Sequence, residues 1–342
     1  MRQSERWTPL HTQLHQVLRQ RQFLPPHSKV LLAFSGGQDS FCLLQLLIDL
    51  QPKWGWDLAL AHGDHGWPSD AAENAQYVVQ IADQYQLPLF ARRAPTELRS
   101  EAAGRRWRYQ ILTEIAEKQG CSIVVTAHTA SDRAETLLYN LIRGSGTDGL
   151  QALSWQRPLS AQVHLVRPLL AATRAQTGEF CAQRQLPIWE DGMNQELAYR
   201  RNRIRLGVLP YLKTHFNPQV ETALAHTAEI LQAEVAFLES ETQRLLAESI
   251  PHQPPVLSSA PSPPCLGYIN RRKLQSAPTA IQRRALRQFL QNTLSLSANF
   301  QQVEKVSALI TAPNRSRTDP LTKTWVAAVL DPWIVICPAA WA

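Results

Sequence analysis

The sequence predicts an α/β protein: a parallel sheet wrapped by helices in the N-terminal part, then a mainly helical C-terminal part ending in a β-hairpin. Three observations carry this. Between Val30 and Arg143 short apolar runs alternate with stretches of helical spacing, the pattern of βαβ units. The run 30–34 turns through Ser35-Gly36-Gly37 straight into a second apolar run, 41–50, which reads as buried strand, tight loop and buried helix. Beyond Asn217-Pro218 the composition shifts to Ala, Leu and Glu with helical periodicity. Domains are therefore expected at 1–216 and 217–342, the second carrying a Pro/Ser-rich linker at 251–264.

In order, residues 5–22 form an entry helix with Leu10, Leu14 and Leu18 on one face. After the glycine loop and its helix comes a short strand at 58–61, which delivers His62-Gly63-Asp64-His65 to its C-terminal end. A helix is expected at 69–86, a strand at 88–91, a long helix at 97–119, a strand at 122–127 closed by His128, and a helix at 132–143. In parallel sheets ligands bind beyond the carboxyl ends of the strands, so the chemistry gathers on one edge. In the C-terminal part, residues 219–248 read as a long helix or helical hairpin. A basic stripe (Arg271, Arg272, Lys273, Arg283, Arg284, Arg287) accompanies a helix starting near Pro278. Residues 325–330 and 333–337, separated by Asp331-Pro332, read as the hairpin. That basic helix either binds RNA or packs its domain.

Composition sets bounds. With 342 residues, 44% hydrophobic and 18% charged, the chain is an ordinary globular one of two domains. No apolar stretch approaches the roughly 20 residues that span a bilayer, and residues 1–21 carry no signal-peptide pattern. Five scattered cysteines (Cys42, Cys121, Cys181, Cys265, Cys337) argue for reduced thiols in a cytoplasmic protein and against zinc, iron–sulfur or C-x-x-C redox chemistry. The net charge of +7 suits a polyanionic partner.

The loop Ser35-Gly36-Gly37-Gln38-Asp39-Ser40 reads as a phosphate cradle. Consecutive glycines present backbone N–H groups without side chains in the way, the two serines add hydroxyls, and the following helix points its positive end at the anion. The lysine of the common G-x-x-x-x-G-K-S/T loop is missing. Instead S-G-G-x-D-S resembles the loop of the PP-loop ATP pyrophosphatases, which cleave ATP to AMP and pyrophosphate. In that resemblance Asp39 holds Mg²⁺ against the triphosphate. The competing reading is a glycine turn with Asp39 and Ser40 as helix caps.

Four further stretches join the loop: His62-Gly63-Asp64-His65; residues 101–109 (E-A-A-G-R-R-W-R-Y); residues 126–136 (T-A-H-T-A-S-D-R-A-E-T) with 141–150; and Arg167-Pro168-Leu169-Leu170 with 190–194 and 199–205. In this order they resemble the tRNA(Ile)-lysidine synthetase family, strongly over residues 28–215. The resemblance implies a PP-loop domain of the adenine nucleotide alpha hydrolase type. It implies a ligase using ATP and Mg²⁺ that adenylates C2 of the wobble cytidine in the CAU anticodon of tRNA(Ile). Free L-lysine then attacks there through its side-chain amine, giving lysidine, AMP and pyrophosphate. The site residues it implies are Ser35, Gly36, Gly37, Gln38, Asp39 and Ser40 on the phosphates, His62 and Asp64 beside the adenine, Arg108 at the triphosphate, and His128 at nucleotide phosphate or lysine. It also places Asp132 and Glu135 on lysine and Arg143, Arg200, Arg201, Arg203 and Arg205 on tRNA. Expected partners are that tRNA and lysine, with a homodimer allowed and no membrane contact.

Bland readings stand beside these. Asp132 and Glu135 share a helix face near its N-terminus, where D-x-x-E also resembles a capping box. His128 is either a ligand contact or an idle loop histidine; 200–205 is either an RNA contact or a solvated helix. His62, Asp64 and His65 cluster, but in no zinc spacing. The chain departs from the family in Arg133, where glutamine is common, in Gly104, where alanine is usual, and in Gly66-Trp67-Pro68. Two other classes share part of this pattern. An amide-forming synthetase or tRNA thiolase would share the loop, although thiolases commonly need paired cysteines. A non-catalytic tRNA-binding protein would need neither Asp39 nor a pyrophosphate cradle.

Overall fold

The structure is a computed structural model that describes residues 7–64, 71–95, 100–189, 200–255 and 265–341. Its helices are α1 Pro9–Arg21, α2 Gln38–Trp54, α3 Ala71–Gln84, α4 Glu101–Gln119, α5 Ala130–Ile142, α6 Thr147–Leu150, α7 Arg174–Gln183, α8 Arg200–Arg203, α9 Leu209–His215, α10 Val220–Ser249, α11 Arg271–Gln275, α12 Thr279–Leu294 and α13 Phe300–Ser307. Its strands are β1 Lys29–Ala33, β2 Asp57–Asp64, β3 Leu89–Arg93, β4 Ile123–Val125, β5 Gln156–Pro158, β6 His164–Val166, β7 Gly267–Asn270, β8 Trp325–Leu330 and β9 Trp333–Pro338. Two compact units result, Met1–Gln232 and Ala233–Ala342.

The first unit holds a six-stranded sheet in the order β3-β2-β1-β4-β6-β5, parallel except for β5. Alternation in β1 shows how it is buried: Val30 and Leu32 enter a core with α1, α2 and α7, whereas Leu31 faces Leu112, Ile115 and Ala116 of α4. β2 runs three residues past the expected strand, because His62, Gly63 and Asp64 continue the ladder to Ala91, Arg92 and Arg93. Trp107 and Ile111 pack so close to Gly63 that a Cβ there would lie 2.9 Å from Ile111 Cδ1. α7 and the β5–β6 pair are additions to the element order expected from the sequence. α10 joins directly to the expected long-helix reading of 219–248.

The second unit is an antiparallel sheet β7-β9-β8 whose Ile269, Val329, Ile334 and Ile336 pack on Leu286, Phe289 and Leu290 of α12. The expected hairpin is β8–β9, with β7 as a third strand. Pro278 caps α12 as the sequence suggests. Much of the basic stripe is used locally. Arg271 and Arg272 pair with Asp331, Arg283 pairs with Glu304, Arg284 pairs with Glu239, and Lys273 Nζ donates to the Glu248 carbonyl at 2.6 Å. Most of the linker 251–264 and the segment 190–199 lie outside the described residues.

Candidate active site

Three of the parallel strands, β1, β2 and β4, each deliver a motif to one edge of the sheet. β1 leads into the glycine loop. Gly36 takes φ +81°, and a Cβ there would meet Tyr77 Cε1 at 3.0 Å and Trp189 Cβ at 3.3 Å, so the turn is closed to other residues. The loop is tied by Trp189 N–H to the Gly36 carbonyl (2.9 Å), by Asn74 Nδ2 to the Ser35 carbonyl (3.2 Å) and by the Ser40 hydroxyl to the Gly37 carbonyl (2.8 Å). Ser35 and Ser40 hydroxyls lie 3.1 Å apart. Gly37 caps α2, so the first N–H groups of a 17-residue helix face this loop.

Asp39 stands in the first turn of α2, buried. The Thr177 hydroxyl donates to its Oδ1, and Arg174 holds Oδ2 through Nε (3.1 Å) and Nη2 (3.0 Å). Burial raises the Asp39 carboxyl above its ordinary value, although Arg174 and Thr177 oppose this. Gln38 fixes the same helix by donating to the Arg174 carbonyl (2.8 Å) and Thr177 Oγ1 (2.9 Å). Sequence reasoning missed Arg174 and Thr177. The signal was Thr173-x-x-Gln176, a capping box that starts α7.

His62 is buried and donates Nδ1–H to the Phe34 carbonyl at 3.0 Å. Burial lowers its pKa, and Arg108, exposed on α4, adds to the effect, so the ring is neutral with Nε2 as an acceptor. Asp64 lies 3.4 Å from Arg93 Nε. His65 lies outside the described residues.

β4 hands over to Thr126 and His128, then to α5. Thr126 Oγ1 and His128 Nδ1 are 2.9 Å apart. Burial pulls the imidazole well below its ordinary 6.5, and the guanidiniums of Arg167, Arg201 and Arg105 push the same way. Asp132 closes a capping box: Oδ2 accepts from Thr129 N–H (2.8 Å) and Thr129 Oγ1 (2.9 Å). Burial alone would raise its carboxyl, but Arg201, the Thr129 N–H and Arg174 outweigh it and hold the group ionised. Glu135, only 1% exposed, sits one turn further on. Its Oε1 receives Arg205 Nε at 2.6 Å, and its Oε2 receives Arg201 Nε at 3.1 Å and Arg205 Nη2 at 3.0 Å. The same guanidiniums stand 3.7 and 3.8 Å from Asp132 Oδ1. The structure thus brings Asp132 and Glu135 together with Arg201 and Arg205, while Arg143, Arg200 and Arg203 stay exposed. A five-residue π-helical segment, Ile204–Val208, carries Arg205 onward into α9.

The sheet order, the lysine-free glycine loop and the motifs at the strand ends define a PP-loop protein. Consistent with this, a family model described as a PP-loop domain matches residues 8–212, and ATP is the co-substrate such a domain serves. Over 332 residues the chain is 51% identical to the tRNA(Ile)-lysidine synthase of Nostoc sp., covering 96% of this chain and 97% of that one. It is 48% identical to the enzyme of that name from Synechococcus sp. (97% of each chain) and 34% identical to a chloroplastic one from Zygnema circumcarinatum (86% of this chain, 77% of that one). The chain belongs to the tRNA(Ile)-lysidine synthase family. Among solved structures, a U34-tRNA thiolase from Methanococcus maripaludis, determined with its 4Fe-4S cluster, superposes with a TM-score of 0.55 at 16% identity, covering 65% of this chain and 78% of that one. That likeness is one of fold. Among the described residues no helix is long and apolar enough to cross a membrane.

Proposed function

We propose that this protein ligates free L-lysine to C2 of the wobble cytidine in the CAU anticodon of tRNA(Ile). The cytidine C2 oxygen attacks the α-phosphate of ATP and pyrophosphate leaves. The lysine ε-amine then adds at C2, and the C2–O bond breaks to release AMP. The observation that carries this reading is one sheet edge that holds an anion cradle at β1 and, at β4, an ionised Asp132 beside a neutral His128.

The roles follow from the environments. Residues Ser35 to Ser40 take the departing pyrophosphate on backbone N–H groups and hydroxyls. His62 and Asp64, at the end of β2, flank the adenine, and Arg108 reaches the triphosphate. Asp39 fits Mg²⁺ through Oδ1: a single buried carboxylate oxygen that accepts only from the Thr177 hydroxyl and keeps a lone pair, while Arg174 occupies Oδ2, is the protein share of a site whose other ligands are phosphate oxygens and water. Bound there, the ion would neutralise charge building on the triphosphate oxygens. Asp132 receives an amino group of lysine through Oδ1, and Glu135 acts with it by fixing Arg201 and Arg205. The ε-amine, with an ordinary pKa of about 10.4, must shed a proton before attack, and because a carboxylate beside the ammonium would oppose that loss, Asp132 holds the α-amino end of lysine rather than the ε-amine. Arg143, Arg200 and Arg203 remain available to RNA phosphates.

The test is pyrophosphate release by the purified protein with ATP and Mg²⁺, comparing CAU-anticodon isoleucine and methionine tRNAs with and without lysine. Release that depends on the isoleucine tRNA, with labelled lysine joining it, is expected. Release indifferent to tRNA, or needing another acceptor, would overturn the assignment and leave the PP-loop class standing.

A further inference from the structure

One group of side chains beside the site has no part in the scheme above. Tyr109 projects from α4. Arg157 on β5 places its Cζ 4.4 Å from the tyrosine ring centroid, and Arg105, one turn earlier on α4, places its Cζ at 5.5 Å. Arg167, the residue after β6, acts electrostatically on the Tyr109 phenol and donates through Nη1 to the Ser154 carbonyl at 2.6 Å. It is 1% exposed, and its Nε has no hydrogen-bond partner.

Among the described residues no carboxylate pairs with Arg105, Arg157 or Arg167. By contrast Arg133, Arg174, Arg201 and Arg205 each have one. Three guanidiniums around one phenol repel one another, and a buried one lacks compensation for its lost hydration. The tyrosine registers the imbalance: burial should raise its pKa, yet Arg105, Arg167 and Arg157 bring it below the ordinary value. An arrangement of this kind is complete only with an anion.

The topology says where such an anion would lie. Arg157 pairs in register with Leu165, on the sheet face that α4 covers, and Arg167 follows β6, the neighbour of β4. The cluster therefore lies on the far side of His128 from the glycine loop, toward the β5 edge, whereas His62 and Asp64 lie on the β2 side. The field of Arg105 and Arg167 still reaches His128. We propose that Arg105 and Arg157, backed by Tyr109 and Arg167, bind a phosphodiester of the RNA next to the reacting nucleotide. This rests on the reading of the substrate as RNA. A planar guanidinium fork matches a phosphate oxygen pair, and backbone phosphates are what fix the register of an RNA on a protein. Arg105 and Arg157 form the rim. Arg167, too buried to touch the ligand, is a positioning residue that supplies charge beside Tyr109 from beneath.

The experiment compares wild type, Arg105→Gln, Arg157→Gln and Arg157→Lys in full-length protein. It measures binding of a CAU-anticodon stem-loop RNA across a salt series, the KM for ATP in pyrophosphate release, and the thermal midpoint. Each glutamine variant should weaken RNA binding roughly tenfold and flatten the log–log salt slope by about one, with the ATP KM and midpoint unchanged. Arg157→Lys should restore part of the affinity. A raised ATP KM with unchanged RNA binding would assign the cluster to the triphosphate and overturn the proposal, as would variants that bind RNA like wild type. Wild type that binds no RNA would sink the substrate reading itself, and the pocket with it.

Discussion

Replacing Glu135 by glutamine separates two jobs that the same carboxylate could do. It is 1% exposed and takes three short contacts from Arg201 and Arg205, whose side chains are 22% and 17% exposed. Removing one partner of a buried ion pair strands the other and costs about 3–5 kcal/mol. Because both guanidiniums keep some contact with solvent, the lower end, about 3 kcal/mol, is expected. For a unit the size of Met1–Gln232, each kcal/mol moves the midpoint roughly 2–4 °C, so Glu135→Gln should melt roughly 6–12 °C lower. The assay is thermal unfolding followed by circular dichroism, alongside lysine and ATP kinetics below the transition. A raised lysine KM with an ATP KM near wild type should accompany the loss, since Arg201 and Arg205 also face Asp132. Adding Arg205→Gln should recover part of the stability, because it removes one stranded charge. An unchanged melting point together with a lost lysine step would refute this reasoning. Glu135 would then serve the substrate directly, and its contacts with the arginines would be incidental.

Three other outcomes are expected. Gly36→Ala forces a β-carbon into a φ of +81° and against Tyr77, so stability should fall by about 1–3 kcal/mol in urea titration and the ATP KM should rise; a wild-type KM would mean the loop shape is not what binds phosphate. Asp39→Asn should reduce pyrophosphate formation by about 10²–10³-fold while leaving stem-loop RNA binding intact, and normal pyrophosphate release would remove Asp39 from the phosphate site. His62 has a folded pKa below the ordinary 6.5, so folding favours its neutral form; that contribution is complete above 6.5 and lost as pH falls toward the folded value. The urea midpoint of wild type should therefore drop between about pH 7 and about pH 5.5, and His62→Gln should drop less; equal slopes would show that His62 is not the titrating group.

The fold was legible where the chain repeats one physical signal. β1, β2 and β4 are apolar runs ending at glycine, histidine or a capping threonine, and α2, α4, α5 and α10 carry sustained helical spacing. β5 and β6 were not legible, because three-residue strands such as Gln156-Arg157-Pro158 are too short to show alternation and are set by pairing alone. In the site, single-stretch features were readable: the glycine turn, Asp39 and the D-x-x-E face. Features made by distant partners were not. Arg201 and Arg205 find Glu135 across 66 and 70 residues, and no local rule says which of four arginines will face an acid and which will face water. Likewise Arg174 and Thr177 reach Asp39 from a helix more than a hundred residues away.

The same distinction explains the arginine at 133, which lies between the two acids in sequence. Along an α-helix each residue turns about 100° from the last, so a residue between Asp132 and Glu135 need not share their face. Arg133 is 2% exposed and points to α10, where Nη1 meets Glu229 Oε2 at 2.7 Å and Nη2 meets Gln232 at 3.0 Å. Glu229 also accepts from Trp155 Nε1 (2.6 Å) and from Arg21 Nη2 (2.6 Å), and the Arg21 guanidinium lies 4.0 Å from the Trp155 ring centroid. The larger, charged side chain is thus absorbed by a carboxylate and an indole on the opposite side of α5. One helix serves two ends: Asp132 and Glu135 look toward the strand edge, and Arg133 anchors their helix to its neighbours. A substitution at 133 therefore bears on how firmly α5 is seated rather than on the face that carries Asp132 and Glu135.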